Sequence, residues 1–361
     1  MTDIIAGFFA PWVIYALLLA LHLLLPARVV TGYVRDPTSG KPLKYRLNGP
    51  LVLIVMAALW AIAGLLRVLP WDWLYYRRWP ALAGSCALGL LFSFAVVLPA
   101  KRVRRAFVAD LYFGREENPQ YFNGHMDAKM SLYLSGAVML VLNLLGFLAH
   151  HVLFLGRSSS PGVILYCCLF FWFAVDYLVF ERVHLYTYDF FAERVGFKLS
   201  WGCLTFYPYF YAVGLWVTAE LPDPHTAPWL LVVYSCVFLA GWVLSRGANM
   251  QKFLFKTRPE RALLGILKPI TITDGEYALL CSGFWGVSRH VNYLGEILMA
   301  AGLTLALGFP ALWPIWLYPL YYVALLVPRE RADERRCSAK YGGLWKEYVR
   351  RVPRRIVPGL Y

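Results

Sequence analysis

Eleven residues, Gly283 to Tyr293, read GFWGVSRHVNY and concentrate aromatic rings, an arginine, a histidine and an asparagine in an otherwise apolar chain. Of the 361 residues, 60% are hydrophobic and only 16% charged, and the mean hydropathy is +0.54. A soluble domain is about 45–50% apolar and about 25% charged, so the chain reads as a polytopic membrane protein. Irregular, polar backbone at membrane depth is tolerated only where protein buries it or where it lines a cavity. Gly283 and Gly286 permit tight turns or close backbone approach. Trp285 offers a stacking face, and Arg289, His290, Asn292 and Tyr293 offer donors. The stretch therefore reads as the wall of a site.

Working outward, apolar runs that satisfy the requirement of roughly 20 residues per span cover 4–26, 50–70, 79–100, 130–153, 161–180, 200–219 and 228–245, with a tighter pair at 292–308 and 310–327. The first run has neither the basic flank nor the small-residue cleavage site of a signal peptide. Basic residues alternate between the loops. Arg28, Arg35, Lys41, Lys44 and Arg46 follow the first run; Lys101, Arg102, Arg104 and Arg105 follow the third; Arg182, Arg194 and Lys198 follow the fifth. Arg246, Lys252, Lys256, Arg258, Arg261 and Lys268 follow the seventh, while the intervening loops are poor in positive charge. By the positive-inside rule the C-terminus is cytoplasmic. The expected architecture is an all-α, polytopic membrane bundle of nine helices, or ten if one is broken, built as a single domain. Residues 1–245 form mainly the bundle, and the polar segments 246–291 and 328–361 carry the chemistry. The net charge of +14 is explained by this topology and by anionic lipid rather than by nucleic acid. The seven cysteines form no CxxC pair and imply neither a disulfide framework nor a zinc site; Cys167-Cys168 reads as packing.

In the tail, VPRERADERRCSAKYGG places Arg329, Asp333, Cys337 and Tyr341 on one helical stripe before Gly342-Gly343 ends or kinks the helix. Trp345 and Tyr348 follow. By itself the stripe fits an amphipathic surface helix. Upstream, Lys252 and Lys256 share a face near Arg258, an arrangement that suits either membrane anchoring or a clamp on phosphate. That both clusters and Gly283–Tyr293 fall on the cytoplasmic side favours one site built from 252–258, 283–293 and 329–348. His150-His151 ends a span and reads as interfacial. Asp176, Glu181 and Asp189 are carboxylates in or beside a span, for which Arg182 is an available partner. GREENP at 114–119 and KYRLNG at 44–49 read as loops. There is no Walker loop, GxGxxG, HExxH or GxSxG.

These motifs resemble the sterol reductase family, which comprises the sterol C14-reductases, the 7-dehydrocholesterol reductases, the fungal Δ24(24¹)-reductases and the C-terminal domain of the lamin B receptor. KPLKYRLNG is similar to the family's first cytoplasmic loop, FGREENP to its glycine–arginine/histidine–glutamate–x–asparagine–proline motif, GFWGVSRHVNYLGE to its signature, and RERADERRCSAKYGGLWKEYVRRVPRRIVPGLY to its C-terminal signature. The resemblance spans most of the chain. It implies a ten-helix membrane fold with a cytosol-facing NADPH pocket, a sterol substrate, a surrounding of membrane lipid and reduction of a carbon–carbon double bond at Δ14, Δ7 or Δ24(24¹). It implies NADPH contacts at Lys252, Lys256, Leu280, Trp285, Asn292, Tyr293, Arg329, Asp333, Cys337, Tyr341 and Tyr348. Glu116 and Tyr211 would lie nearer the sterol, and Asp333, Glu116 and Tyr211 are candidates for the proton path. The membrane would be the endoplasmic reticulum in a eukaryote and the inner membrane in a bacterium; no metal and no obligatory protein partner is implied. Lys256 stands where arginine is common, Pro328 where a histidine is usual, Arg331-Ala332 reverses the usual order, and Cys203 replaces a carboxylate. A second class, the isoprenylcysteine and phospholipid methyltransferases, shares a pattern like RHVNYLG, but the lysine pair has no purpose for a methyl donor that lacks phosphate. A non-enzymatic sterol binder is the third reading.

Overall fold

The computed structural model describes residues 2–37, 39–104 and 106–360; Arg105, counted among the basic loop residues, lies outside them. The chain divides into two compact units, Met1–Pro224 and His225–Tyr361.

The first unit is built on the helices α1 (Thr2–Leu24), α2 (Gly49–Leu65), α3 (Arg78–Val97), α4 (Ala128–Leu155) and α5 (Pro161–Val179). Local chemistry sets their starts. Pro50 and Pro161 occupy the first turns of α2 and α5, where a missing N–H costs nothing. Asp127 caps α4, its carboxylate accepting from Met130 N at 3.0 Å. Two small antiparallel sheets depart from the all-α expectation. One pairs β1 (Arg28–Arg35) with β2 (Pro42–Leu47), and the other pairs β3 (Gln120–Tyr121) with β4 (Met126–Asp127). The KYRLNG stretch, expected as a loop, thus supplies most of a strand. The alternation of Leu43, Tyr45 and Leu47 against Lys44 and Arg46 is the period-two signal that favours it.

The run 200–219 is not one helix. It breaks into α6 (Phe197–Trp201), a π-helical stretch Gly202–Phe210 and α7 (Val213–Thr218). Pro208 lies inside the π stretch and can donate no hydrogen bond. The backbone freed there is satisfied from neighbouring helices. Asn143 Nδ2 donates to Pro208 O at 2.9 Å, Ser85 Oγ to Leu204 O, and Tyr166 OH to Tyr211 O at 3.1 Å. Such repair is what a broken helix requires away from water.

The second unit holds α8 (Pro228–Thr257), a hairpin of β5 (Thr271–Thr273) and β6 (Ala278–Leu280), the short α9 (Phe284–Val287), α10 (Val291–Ala306) and α11 (Leu317–Arg351). Helices α8 and α10 meet at Gly241 and Gly295, where a Cβ on either would come within 2.6 Å of the other's carbonyl oxygen. The polar residues after 245 continue α8 to Thr257 instead of leaving it. The apolar run 310–327 begins as a 3₁₀ turn at Trp313–Trp316 before α11 starts.

Among the described residues five helices, α1, α3, α4, α5 and α8, are long and apolar enough to cross a membrane; α2 and α10 are apolar but shorter. Side chains such as Ile4, Val13, Leu153, Val179, Trp229 and Val232 stand exposed along them, the surface that lipid covers. The protein is a mostly helical integral membrane protein.

Candidate functional site

In the second unit the three expected clusters converge. Lys252 Nζ, on the last turns of α8, lies 5.3 Å from the centre of the Trp285 ring, within cation–π range. Trp285 is fixed from two sides: its indole N–H donates to Ala248 O at 2.8 Å, and its own carbonyl accepts from Tyr348 OH at 3.2 Å. The α9 turn is entered through Gly283, at φ 61°, a conformation that suits glycine. Gln251 staples that entry, donating to Ser282 O at 3.1 Å and accepting from Phe284 N at 3.0 Å.

The tail then folds back on this stretch. Arg289 N and His290 N donate to Arg354 O and Arg355 O at 3.0 and 2.8 Å, and Ser288 Oγ to Ile356 O at 3.0 Å. The Arg289 guanidinium donates to Val352 O at 3.0 Å and lies 3.4 Å from Glu334. Glu334 also accepts from the Trp345 indole at 2.9 Å. Charges this deeply held are expensive unless paired and hydrogen-bonded, and here each is.

The expected stripe on α11 is present. Asp333 is half-buried and feels the cations of Lys252, Arg336 and Arg329; burial nevertheless dominates and raises its pKa above the ordinary carboxylate value. Burial, then the neighbouring Asp333 charge, pushes the Cys337 thiol up to about 12. Cys337 is thus a neutral thiol rather than a nucleophilic thiolate. Tyr341 packs edge-on to Tyr277 of the hairpin, with ring centres 5.2 Å apart, and Lys340 Nζ lies 5.0 Å from the Tyr341 ring. Ile272, Leu344, Trp345, Tyr348 and Val352 form the apolar floor. Leu280 is buried on β6, and Arg329 is half-buried on α11.

His290 and Asn292 stand out. His290 stacks on Tyr293, with ring centres 4.8 Å apart. Burial, then the positive charges of Lys252, Arg289 and Arg355, drives its pKa down to about 3, so the imidazole is neutral. His290 Nε2 and Asn292 Oδ1 are buried and make no hydrogen bond, which is rare for buried polar atoms. Lys252, whose charge acts on His290, is also felt by Lys256, which faces the like charge of Lys340 as well. Lysine charges near an indole face, with the unmet polar atoms of His290 and Asn292, can hold an anionic, amide-bearing ligand.

The remaining two expected residues belong to the first unit. Glu116 is exposed, and its carbonyl accepts from Val195 N at 2.9 Å. Tyr211 follows the π stretch, its ring 4.7 Å from that of Tyr207. Cys203 sits in an apolar cluster with Leu88, Leu132 and Leu204. The carboxylates flagged beside the fifth span resolve differently: both oxygens of the buried Glu181 accept from Gly49 N at 3.2 Å, at the start of α2. Sequence reasoning missed Gln251, Glu334 and Glu330, which is fully buried on α11 with its carboxylate 3.5 Å from Arg355. Glu334, in the same DERR run as Asp333, was the most readable of them, since a carboxylate next to the stripe signals a partner for an arginine.

The profile described as the ergosterol biosynthesis ERG4/ERG24 family matches residues 6–361. The chain is 34% identical over 349 residues to the Delta(14)-sterol reductase of Arabidopsis thaliana, covering 94% of this chain and 91% of that one. It is 33% identical over 370 residues to the Delta(14)-sterol reductase TM7SF2 of Mus musculus, covering 98% and 86%. It is 31% identical over 364 residues to the Delta(14)-sterol reductase LBR of Gallus gallus, covering 96% of this chain and 55% of that protein.

Proposed function

The chain belongs to the ergosterol biosynthesis ERG4/ERG24 family, and from that premise we propose that it reduces a sterol carbon–carbon double bond with NADPH. The Δ14 bond is the one favoured, because relatives matched over nearly the whole chain bear that name. The cofactor reading rests on the neutral His290 and Asn292 with their unmet polar atoms, and on Lys252, which neighbours both His290 and Lys256. These residues fit a ligand that carries phosphates and a carboxamide.

When bound, NADPH supplies a hydride. Lys252 and Lys256 would hold phosphate as point charges, and Trp285 and Tyr348 would wall the pocket. Arg329, Tyr341, Asn292, Tyr293 and Leu280 complete the proposed lining. An unactivated alkene accepts hydride only after a proton has added to one of its carbons, leaving a tertiary cation at the other. One proton and one hydride saturate the bond. Asp333 is a candidate for that proton, since burial keeps its carboxyl protonated to higher pH; Cys337, held as a thiol, does not compete as a nucleophile. Glu116 and Tyr211 are the other proposed members of the proton path. By loop charge the C-terminus is placed in the cytoplasm.

The test is purified protein given a Δ14 sterol and NADPH, with the product read by mass spectrometry. The expected product gains two hydrogens, and NADH supports a rate at least about tenfold lower, as a 2′-phosphate contact requires. A sterol recovered unchanged would sink the proposal, and methyl transfer from S-adenosylmethionine would install the methyltransferase reading.

A further inference from the structure

A second pair of unmet polar atoms lies in the first unit. Tyr45, on β2, is 1% exposed, and its phenol oxygen makes no hydrogen bond. Asp127, at the end of β4, is 3% exposed. Its Oδ1 caps α4 through Met130 N, while Oδ2 makes no hydrogen bond. The two strands are neighbours. Gln120, opposite Asp127 in the β3–β4 ladder, donates its side-chain amide to Lys44 O at 2.9 Å. The Asp127 charge is close enough to push the Tyr45 phenol further up, on top of the effect of burial. The amide of Gln120 gives one N–H to Lys44 O, and its other lies beside the Asp127 carboxyl. The nearby ammonium of Lys129 is engaged too, donating to the carbonyls of Asp189, Phe190 and Glu193 at 2.8, 3.0 and 2.6 Å. Neither partners the Tyr45 phenol.

On the Tyr45 side the surroundings are apolar: Val30, Met130, Leu185 and Phe190, with the Phe190 ring edge-on to Tyr45 at 5.9 Å. An apolar enclosure with a few placed polar groups is how small-molecule sites are built. One atom of the pair is a donor and the other an acceptor, and the smallest group that satisfies both is a hydroxyl. The depth is also informative. Asp127 immediately precedes α4, and the β1–β2 hairpin joins α1 to α2, so the pair stands at the ends of apolar helices, at the level where membrane gives way to water. A sterol is an amphiphile that holds its hydroxyl at that level and its rings in the hydrocarbon.

We propose that Tyr45 and Asp127 form a subsite for the substrate's hydroxyl, the phenol donating to the hydroxyl oxygen and Asp127 Oδ2 accepting its proton, and that the occupant is the ring hydroxyl of a sterol. The identity of the occupant rests on the sterol reading above; the hydroxyl chemistry does not. Tyr45 and Asp127 are specificity residues and take no part in proton or hydride transfer.

The test compares one Δ14 sterol bearing its free 3-hydroxyl with its 3-deoxy analogue, in the wild type, in Tyr45→Phe, which keeps the ring packing, and in Asp127→Asn, which keeps an oxygen for the α4 cap. The wild type is expected to favour the hydroxylated sterol at least about tenfold in kcat/KM, because a site built for a hydroxyl strands its own buried groups when the hydroxyl is missing. Tyr45→Phe should reduce that preference to about threefold or less, through KM and with an unchanged Tm. Thermal stabilisation by each sterol reads the same preference without turnover. A wild type that prefers the hydroxylated sterol in this assay, but reduces neither, refutes the reduction reading and leaves the subsite standing. A wild type indifferent to the hydroxyl, or wild-type preference retained in both variants, overturns the subsite and leaves water as its occupant.

Discussion

Asp333 is held between opposing influences: burial raises its pKa, and Lys252, Arg336 and Arg329 pull it down, with burial prevailing. The sign of its linkage follows. A carboxyl whose folded pKa exceeds its unfolded one contributes stability at low pH and loses it as pH rises from the ordinary carboxylate range to the raised value. Asp333→Asn should therefore leave the Tm at neutral pH unchanged or higher, while turnover falls at least about a hundredfold if the carboxyl serves the proton path. A scanning calorimetry trace paired with a rate measurement decides it; wild-type turnover in the variant removes Asp333 from the site. The wild-type rate should fall as pH rises through the raised pKa, since the ionised form has no proton to give. His290, neutral down to about pH 3, should add no inflection near neutrality. Lys252→Ala should raise the Kd for NADPH at least about tenfold, read by thermal shift with the cofactor alone. At this scale the stripe of Arg329, Asp333, Cys337 and Tyr341 was legible because helical period is local. Gln251 was not, because its partners, Ser282 and Phe284, lie beyond a hairpin that local pattern does not place.

The α11 helix carries a bend at Gly342, with φ 50° and ψ −115°, backbone that a side chain adopts only under strain. The bend has a visible purpose. Residues eleven apart on a straight helix are separated by roughly 16 Å along the axis, yet the Trp345 indole donates to Glu334 at 2.9 Å. The turn at Gly342 returns Trp345 and Tyr348 to the stripe and to Trp285. Gly342→Ala should cost about 1–3 kcal/mol of stability and weaken NADPH binding together with it. Denaturation and cofactor titration would check this, and full stability with unaltered affinity would contradict the role given to the bend. The doubled glycine was readable as a helix break; where the chain went afterwards was not. The break of 200–219 shows the complementary case. Composition gives that run the look of a span, whereas Pro208 and the side-chain repairs from Ser85, Asn143 and Tyr166 make its backbone π-helical at the centre.

Across the first unit, alternate loops gather at opposite ends. The segments after α1 and α3 meet through Gln120 and Lys44. The segments after α2 and the broken sixth run meet through Tyr75, which donates to Glu220 at 2.8 Å, with His150 3.2 Å from Asp72 and 3.3 Å from Glu220. In a background with the native cysteines replaced, a cysteine at Ser39 or Arg354 should resist an impermeant reagent in intact cells and one at Ser159 should label; labelling at Arg354 would reverse the orientation. By itself the sequence determined the membrane class, the family, the starts of most apolar helices and the stripe on the tail, all of which depend on composition, on period or on residues within a few positions of one another. Only the tertiary structure decided which apolar run is broken, which buried atoms lack partners, and that Tyr45 and Asp127 stand together. Lys129, fully buried on carbonyls at residues 189, 190 and 193, states the reason. A buried polar group is satisfied by whatever backbone the returning chain brings beside it, and that choice is made by packing between segments far apart in sequence.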